Sequence, residues 1–234
     1  MGQNLIALIL TFAAALLWLR LNDFTAQRGW ISSDLSRKII HMGTGPIFVL
    51  CWLMFQNTPW ARFLAALVPL AITAQFFLVG SGVIGDEAAV KAMSRNGDRR
   101  EILKGPLYYG IVFVVVTALF WYDTPVGIIA LMLMCGGDGL ADIVGRRFGR
   151  RKLPWNPQKS WIGSLGMLAG GLVFAVIILG IYFAAGKFQG SLIAMLPAVT
   201  LIAVLAAMVE TLPFKDIDNI TITLTAIISG FLLI

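Results

Sequence analysis

The amino-acid sequence predicts an all-α, polytopic membrane protein: a single domain over residues 1–234, folded as about seven or eight transmembrane helices with its functional loops on the cytosolic side. Three observations predict it. Hydrophobic residues make up 59% of the chain and charged residues 13%, with a mean hydropathy of +0.86, whereas about a quarter of a soluble domain is charged. The apolar residues gather into runs near the roughly 20 residues that carry a helix across a bilayer. Those runs are continuous rather than alternating, which argues against a transmembrane β-barrel.

Along the chain the spans lie near 4–21, 38–55, 60–82, 106–122, 126–144, 161–185, 190–211 and 220–234. The first opens MGQNLIALIL, without the basic leader or small-residue cleavage site of a signal peptide, so it reads as a retained helix. No Arg- and Ser-rich transit segment is visible either, and a bacterial inner membrane is the expected host. The second span is opened by SRKIIHMGTGP, residues 36–46, and the third carries Arg62 at its start. Asn96-Gly97 and Gly105-Pro106 mark turns that shape the connection into the fourth. The fifth is apolar from Val126 to Cys135 and then runs directly into GGDGLADIVGRRFG, residues 136–149. Before the sixth, Ser160 has the character of an N-cap, and inside it Gly166 and Gly170 form a small-xxx-small pair suited to helix packing. The seventh ends at VETLPFKDIDN, and the eighth is the shortest. Cys51 and Cys135 sit singly in apolar runs, so neither a disulfide framework nor a zinc site is expected.

The charges sort by side. Sixteen of the eighteen Lys and Arg residues flank the odd-numbered connections; Arg62 and Lys187 are the exceptions. That bias places the odd-numbered connections in the cytoplasm and both termini outside. Eleven of the twelve acids, all but Asp123, fall on the same side. Orientation does not require this, because acids contribute little to the positive-inside effect. One face of the bundle therefore collects nearly every group capable of polar chemistry. The net charge of +6 fits topology and an anionic substrate; no basic stripe with interleaved aromatics suggests nucleic acid.

Asp138 and Asp142 are the centre of that face. If the helix continues through Gly136–Gly145, the two carboxylates are four apart and point the same way, where like charges repel. A divalent cation or a shared proton removes the penalty. Mg²⁺ takes carboxylate oxygens and is commonly completed by substrate phosphates, so this pair beside the basic loop of Arg146 and Arg147 predicts a metal–nucleotide site. A solvated helix end is the plainer alternative. Lys159 and Ser160, just ahead of a helix N-terminus, make an anion site or a plain cap. Arg37 and His41, with Lys38 between them, stand one turn into the second span; His41 suits phosphate contact, proton acceptance or a structural hydrogen bond. Asp216, Asp218 and Asn219 form either a second metal-ligating unit or an ordinary turn. Neither a Walker A loop nor the G-x-G-x-x-G dinucleotide fingerprint is found at this site.

Five segments in this order, RKIIH (37–41), RREILKGPLYY (99–109), GGDGLADIVGRRFG (136–149), KSWIGSLGM (159–167) and ETLPFKDIDNITI (210–222), resemble the polyprenol kinase family, and within it the bacterial and plastid phytol kinases. The resemblance runs from about residue 36 to 223 and is most specific in the two central segments. It implies transfer of the γ-phosphoryl group of CTP, or of UTP or ATP, to the hydroxyl of a long isoprenoid alcohol drawn from the bilayer. It also implies Asp138 and Asp142 at the Mg²⁺–triphosphate, one of them orienting or deprotonating the alcohol, with Lys38, Arg37, Arg146, Arg147, Lys159 and Ser160 on the nucleotide side. Asp218 and Asn219 then meet metal or nucleotide, and His41 lines the same pocket. A phosphatidate cytidylyltransferase-like enzyme has similar metal and nucleotide needs. A transporter of an anionic lipid is the reading from another class, disfavoured because its acids belong at the bilayer midplane in two related halves. The CDP-alcohol phosphotransferase pattern does not fit, since the segment lacks its Ala-Arg and later aspartates.

Overall fold

The computed structural model describes residues 2–94, 96–214 and 216–234. Arg95 and Lys215, both counted among the basic-side cations, lie outside the described residues. The eight expected spans are all present as helices. In chain order the elements are α1 (Gly2–Gln27), α2 (Ser33–Cys51), α3 (Ala61–Ser81), α4 (Glu87–Met93), α5 (Gly105–Leu119), α6 (Pro125–Met132), α7 (Gly139–Phe148), α8 (Trp161–Ala184), α9 (Leu192–Glu210) and α10 (Asp218–Leu233). A π-helical turn, Leu133–Asp138, joins α6 to α7, so Pro125–Phe148 is one continuous span. Six helices are long and apolar enough to cross a membrane. Among the two remaining spans, α2 is made less apolar by Arg37, Lys38 and His41, and α10 has only 16 residues.

Two connections carry structure that hydropathy does not announce. The third holds the short α4, capped by the Asp86 carboxylate accepting from the Ala89 N–H at 2.9 Å, and a 3₁₀ turn at Arg99–Leu103 that buries Ile102. The fifth holds an antiparallel hairpin, β1 (Lys152–Leu153) with β2 (Asn156–Ser160). Its last residue, Ser160, caps α8 by accepting from the Gly163 N–H at 3.2 Å, as expected from sequence.

The helices are arranged around the span that carries the aspartates. From Ile128 to Cys135 every side chain is fully buried. A helix that is apolar all round must be enclosed on all sides, and this one is packed against α2, α5, α8, α9 and α10, with α1 and α3 outside. α8 approaches most closely through its glycines. A Cβ at Gly166 would stand 3.2 Å from the Leu140 carbonyl oxygen, and one at Gly170 would collide with the Gly136 carbonyl. Small residues here let two backbones touch, the packing role expected of this pair.

This contact gives a test with an informative sign. Alanine is favoured over glycine inside a helix by about 1 kcal/mol. Gly180→Ala, whose Cβ meets only Leu192 at an ordinary 3.6 Å, should leave the thermal stability of the detergent-solubilised protein unchanged or raise it. Gly170→Ala should lower it, by roughly 1–3 kcal/mol of overpacking. An equal response of the two variants would refute the close α7–α8 approach.

The polar contacts divide between the two ends of the bundle as the charge alternation predicts. At one end Arg62 pairs with Asp123, the Lys187 ammonium lies 5.3 Å over the Tyr122 ring, and the Asn4 amide bonds to the 56–58 turn. The other end holds the remaining ion pairs and the candidate site.

Candidate active site

α2 leaves the basic end while α7 returns to it, so the two helices meet antiparallel. Lys38 and His41, three apart on α2, therefore face Asp142 and Asp138, four apart on the α7 side. Lys38 Nζ lies 3.0 Å from Asp142 Oδ2, and His41 Nε2 lies 3.3 Å from Asp138 Oδ2, without the alignment of a hydrogen bond. Arg146, one turn beyond Asp142, donates from Nε to Asp142 Oδ1 at 2.8 Å. The aspartates do share a face, as the spacing predicts. Each has protein partners: Lys38 and Arg146 hold Asp142, and His41 stands against Asp138. The face of α2 turned to them carries Lys38 with His41; Arg37 stands 3.7 Å from Asp34 on its own helix.

The flanking glycines are a packing device. Side chains at Gly136, Gly137 and Gly139 would strike Phe174, Met167 and Met42. Tyr109, at the end of the GPLYY stretch, holds His41 from the other side. Its ring lies 4.4 Å from the imidazole, and its hydroxyl donates to the His41 carbonyl at 2.7 Å. The same hydroxyl is 3.4 Å from Cys135 Sγ in the π-helical turn. The sequence does not single out Tyr109, because nothing in the Tyr108-Tyr109 pair distinguishes the one that stacks on a histidine.

A second cluster adjoins the first. Lys159, at the end of β2, reaches Glu210 Oε1 at 2.6 Å and Asp218 Oδ2 at 3.3 Å, and donates to the Glu210 carbonyl. Burial works against the Lys159 charge, yet Glu210 and Asp218, helped by Asp138, outweigh it and hold the ammonium above its ordinary pKa. Its charge is therefore fixed across the physiological range. Glu210 is 6% exposed, and both its Oε2 and Asp218 Oδ1 are buried without a protein partner. A carboxylate oxygen hidden from water without a donor costs free energy, so these atoms are suited to a cation or a ligand N–H or O–H. Glu210, an acid ending an apolar run, carried the same signal as Asp138.

The other expected site residues have structural neighbours. Ser160 is 2% exposed, and its oxygen is committed to the α8 cap. Asn219 donates to the Gly105 carbonyl at 3.1 Å, and Asp216 pairs with Lys104 at 3.2 Å, which ties the third connection to the seventh. Asp216 and Asp218 thus go to different lysines. The Arg147 guanidinium lies 5.5 Å over the Phe148 ring. Among the described residues no three of His, Cys, Asp and Glu converge as a closed metal centre. The donor chemistry nevertheless suits a hard cation, which takes carboxylate oxygens and is completed by phosphates: Asp138 and Asp142 offer theirs in exchange for His41, Lys38 and Arg146, and Glu210 Oε2 and Asp218 Oδ1 are buried without a protein partner.

Fold and site together define a multi-pass α-helical membrane protein in which Asp138, Asp142, Glu210, Asp218, Lys38, Lys159 and the single histidine gather at one end of the bundle. The chain belongs to the polyprenol kinase family, whose members include phytol and farnesol kinases. It is 41% identical over 229 residues, 97% of this chain and 76% of the relative, to a probable chloroplastic phytol kinase of Triticum aestivum. It is 42% identical over 209 residues, 88% of this chain and 68% of the relative, to a chloroplastic farnesol kinase of Arabidopsis thaliana. With chloroplastic phytol kinase 1 of the same plant it shares 38% identity over 208 residues, 88% of this chain and 68% of the relative. No family model matches the chain, and no solved structure matches it.

Proposed function

We propose that this protein is a prenol kinase: it transfers the terminal phosphoryl group of a nucleoside triphosphate, CTP by preference, to the hydroxyl of a long isoprenoid alcohol and releases the prenyl phosphate. The observation that carries the reading is the meeting of His41, Asp138, Lys38, Asp142, Arg146 and Lys159 at one membrane face. A prenol keeps its chain in the bilayer and its hydroxyl at the interface, whereas the nucleotide comes from water. The ends of the helices are where the two can meet.

Phosphoryl transfer asks mainly for positioning and for neutralisation of phosphate charge. Lys38 and Arg146, both held on Asp142 in the resting protein, can turn to the triphosphate. Asp138 and Asp142 would hold Mg²⁺, which when bound neutralises phosphate oxygens and aligns them for in-line attack. His41, with its ring fixed by Tyr109 and its Nε2 turned to Asp138, would take the hydroxyl proton on Nδ1. Asp138 then stabilises the imidazolium. The hydroxyl oxygen forms a bond to the γ-phosphorus as the bond to the bridging oxygen breaks, and the nucleoside diphosphate leaves. Asp218 and Glu210 set Lys159 at the edge of this space. Ser160, Asn219, Arg37 and Arg147 complete the proposed nucleotide side, the first two through the backbone they hold in place.

The membrane location is multi-pass and integral. The basic face is proposed to lie on the nucleotide side, supported by the one-sided lysines and arginines. A bacterial plasma membrane is the proposed host, although the plant relatives are named chloroplastic.

Purified protein incubated with Mg²⁺, phytol or farnesol, and CTP labelled at either the γ- or the α-phosphate tests the reading. Label from the γ position should pass into the solvent-extractable alcohol, and none from the α position. Label from the α position on added phosphatidate would make the protein a cytidylyltransferase. Chelation by EDTA should stop transfer and Mg²⁺ should restore it; transfer that continues in EDTA would remove the metal from the proposal.

A further inference from the structure

At the basic end, against the start of α8, a surface slot of about 360 Å³ is lined by Phe148, Arg150, Arg151, Trp161, Ile162 and Leu165. Its apolar residues are not core: Phe148 and Leu165 are 60% and 59% exposed, on the outer surface of a membrane helix bundle. Arg150 and Arg151 come from the connection beyond the helix ends, and among the described residues no acid pairs with either. The backbone fixes both arginines to the slot. The Arg150 N–H donates to the Phe148 carbonyl at 2.8 Å, and the Trp161 N–H donates to the Arg151 carbonyl at 3.2 Å. Trp155 packs edge-on against Trp161 with centroids 5.7 Å apart, so an indole pair borders the slot at interface level.

The slot is separate from the acid clusters. α7 and α8 meet along a seam of Gly145, Gly149, Ser160 and Gly163. Asp142, which holds Arg146, faces Lys38 of α2 on one flank of that seam. Phe148, six residues beyond Asp142, falls about 120° round the helix from it.

Two guanidinium groups free to fork onto one phosphate, above an apolar channel that opens to lipid, match an amphiphile with an anionic head. We propose that this slot binds an anionic phospholipid of the leaflet at the basic end, with its phosphate on Arg150 and Arg151 and one acyl chain along Ile162 and Leu165. A prenyl phosphate has the same head chemistry. The seam between slot and acids favours the resident phospholipid over a departing product.

The test reads binding rather than turnover, so it stands apart from the kinase reading. Full-length protein is reconstituted in nanodiscs of phosphatidylcholine with or without phosphatidylglycerol, extracted in mild detergent, and its retained lipid is measured by native mass spectrometry. Wild type should retain phosphatidylglycerol over phosphatidylcholine. Arg150→Gln/Arg151→Gln should lose that preference by roughly tenfold or more. Leu165→Trp, which fills the channel from a lipid-exposed position and spares both arginines, should lose retention as well, and it keeps the test open should the double variant fail to fold. Equal retention by either folded variant, or displacement of phosphatidylglycerol from wild type by an equimolar prenyl phosphate, would overturn the assignment.

Discussion

Asp138→Asn should leave a folded protein with almost no turnover, a fall on the order of 10³ in kcat. The substitution keeps the volume of the side chain and its place between the π-helical turn and α7, and an amide can still meet His41 Nε2. Thermal unfolding in detergent should therefore stay close to wild type. What is lost is the negative charge, which the proposed chemistry uses to hold a cation and to stabilise a protonated His41. Asp142→Asn should behave differently. Both oxygens of Asp142 are occupied in the resting protein, by Lys38 and Arg146, so its change acts first on the cations that await the triphosphate. The KM for nucleotide should rise more than kcat falls. An active Asp138→Asn enzyme, or identical kinetics for the two variants, would sink the division of roles between them.

The distinction between those two carboxylates was only half written in the sequence. Helical periodicity put Asp138 and Asp142 on one face, and hydropathy put that face at a membrane boundary; both follow from local spacing. The partners came from elsewhere. Spacing on α2 relates Arg37 to His41 as readily as Lys38 to His41, and only the antiparallel meeting of α2 with α7 selects Lys38 for Asp142. Lys159 was legible as a cation before a helix N-terminus, but its engagement with Glu210 and Asp218 depends on three elements far apart in the chain. The apolar helices were legible because lipid admits few solutions to the backbone hydrogen-bond problem. The β1–β2 hairpin and the 3₁₀ turn at Arg99–Leu103 were not, because outside lipid a short polar segment has many solutions. Gly136, Gly137 and Gly139 leave room for a close neighbour of Asp138. Whether it was a ligand or Phe174, Met167 and Met42 depended on tertiary packing.

Lys159→Met carries the other large expected effect, and it separates a structural role from a chemical one. Without the ammonium, Glu210 and Asp218 face each other with no counter-charge, and Glu210 is almost wholly buried. Removing one partner from a buried pair costs about 3–5 kcal/mol, chiefly through the charge left behind. The lower end of that range applies here, since Asp218 retains some contact with water. The variant should unfold at a clearly lower temperature. Because Lys159 is held above its ordinary pKa, its contribution is complete below the unfolded value of about 10.4. It fades only as pH rises through the higher folded value. The gap between wild type and variant should thus be constant from neutral pH to about 10 and close above that. Combining Lys159→Met with Glu210→Gln removes the stranded charge and should restore most of the stability, a coupling that a double-mutant cycle measures directly. If Lys159 also reaches the triphosphate, the double variant will be stable and still slow, with a raised KM for nucleotide. Recovery of both stability and turnover would confine Lys159 to the architecture, and an unchanged unfolding temperature in the single variant would remove the cluster from the account of the fold altogether.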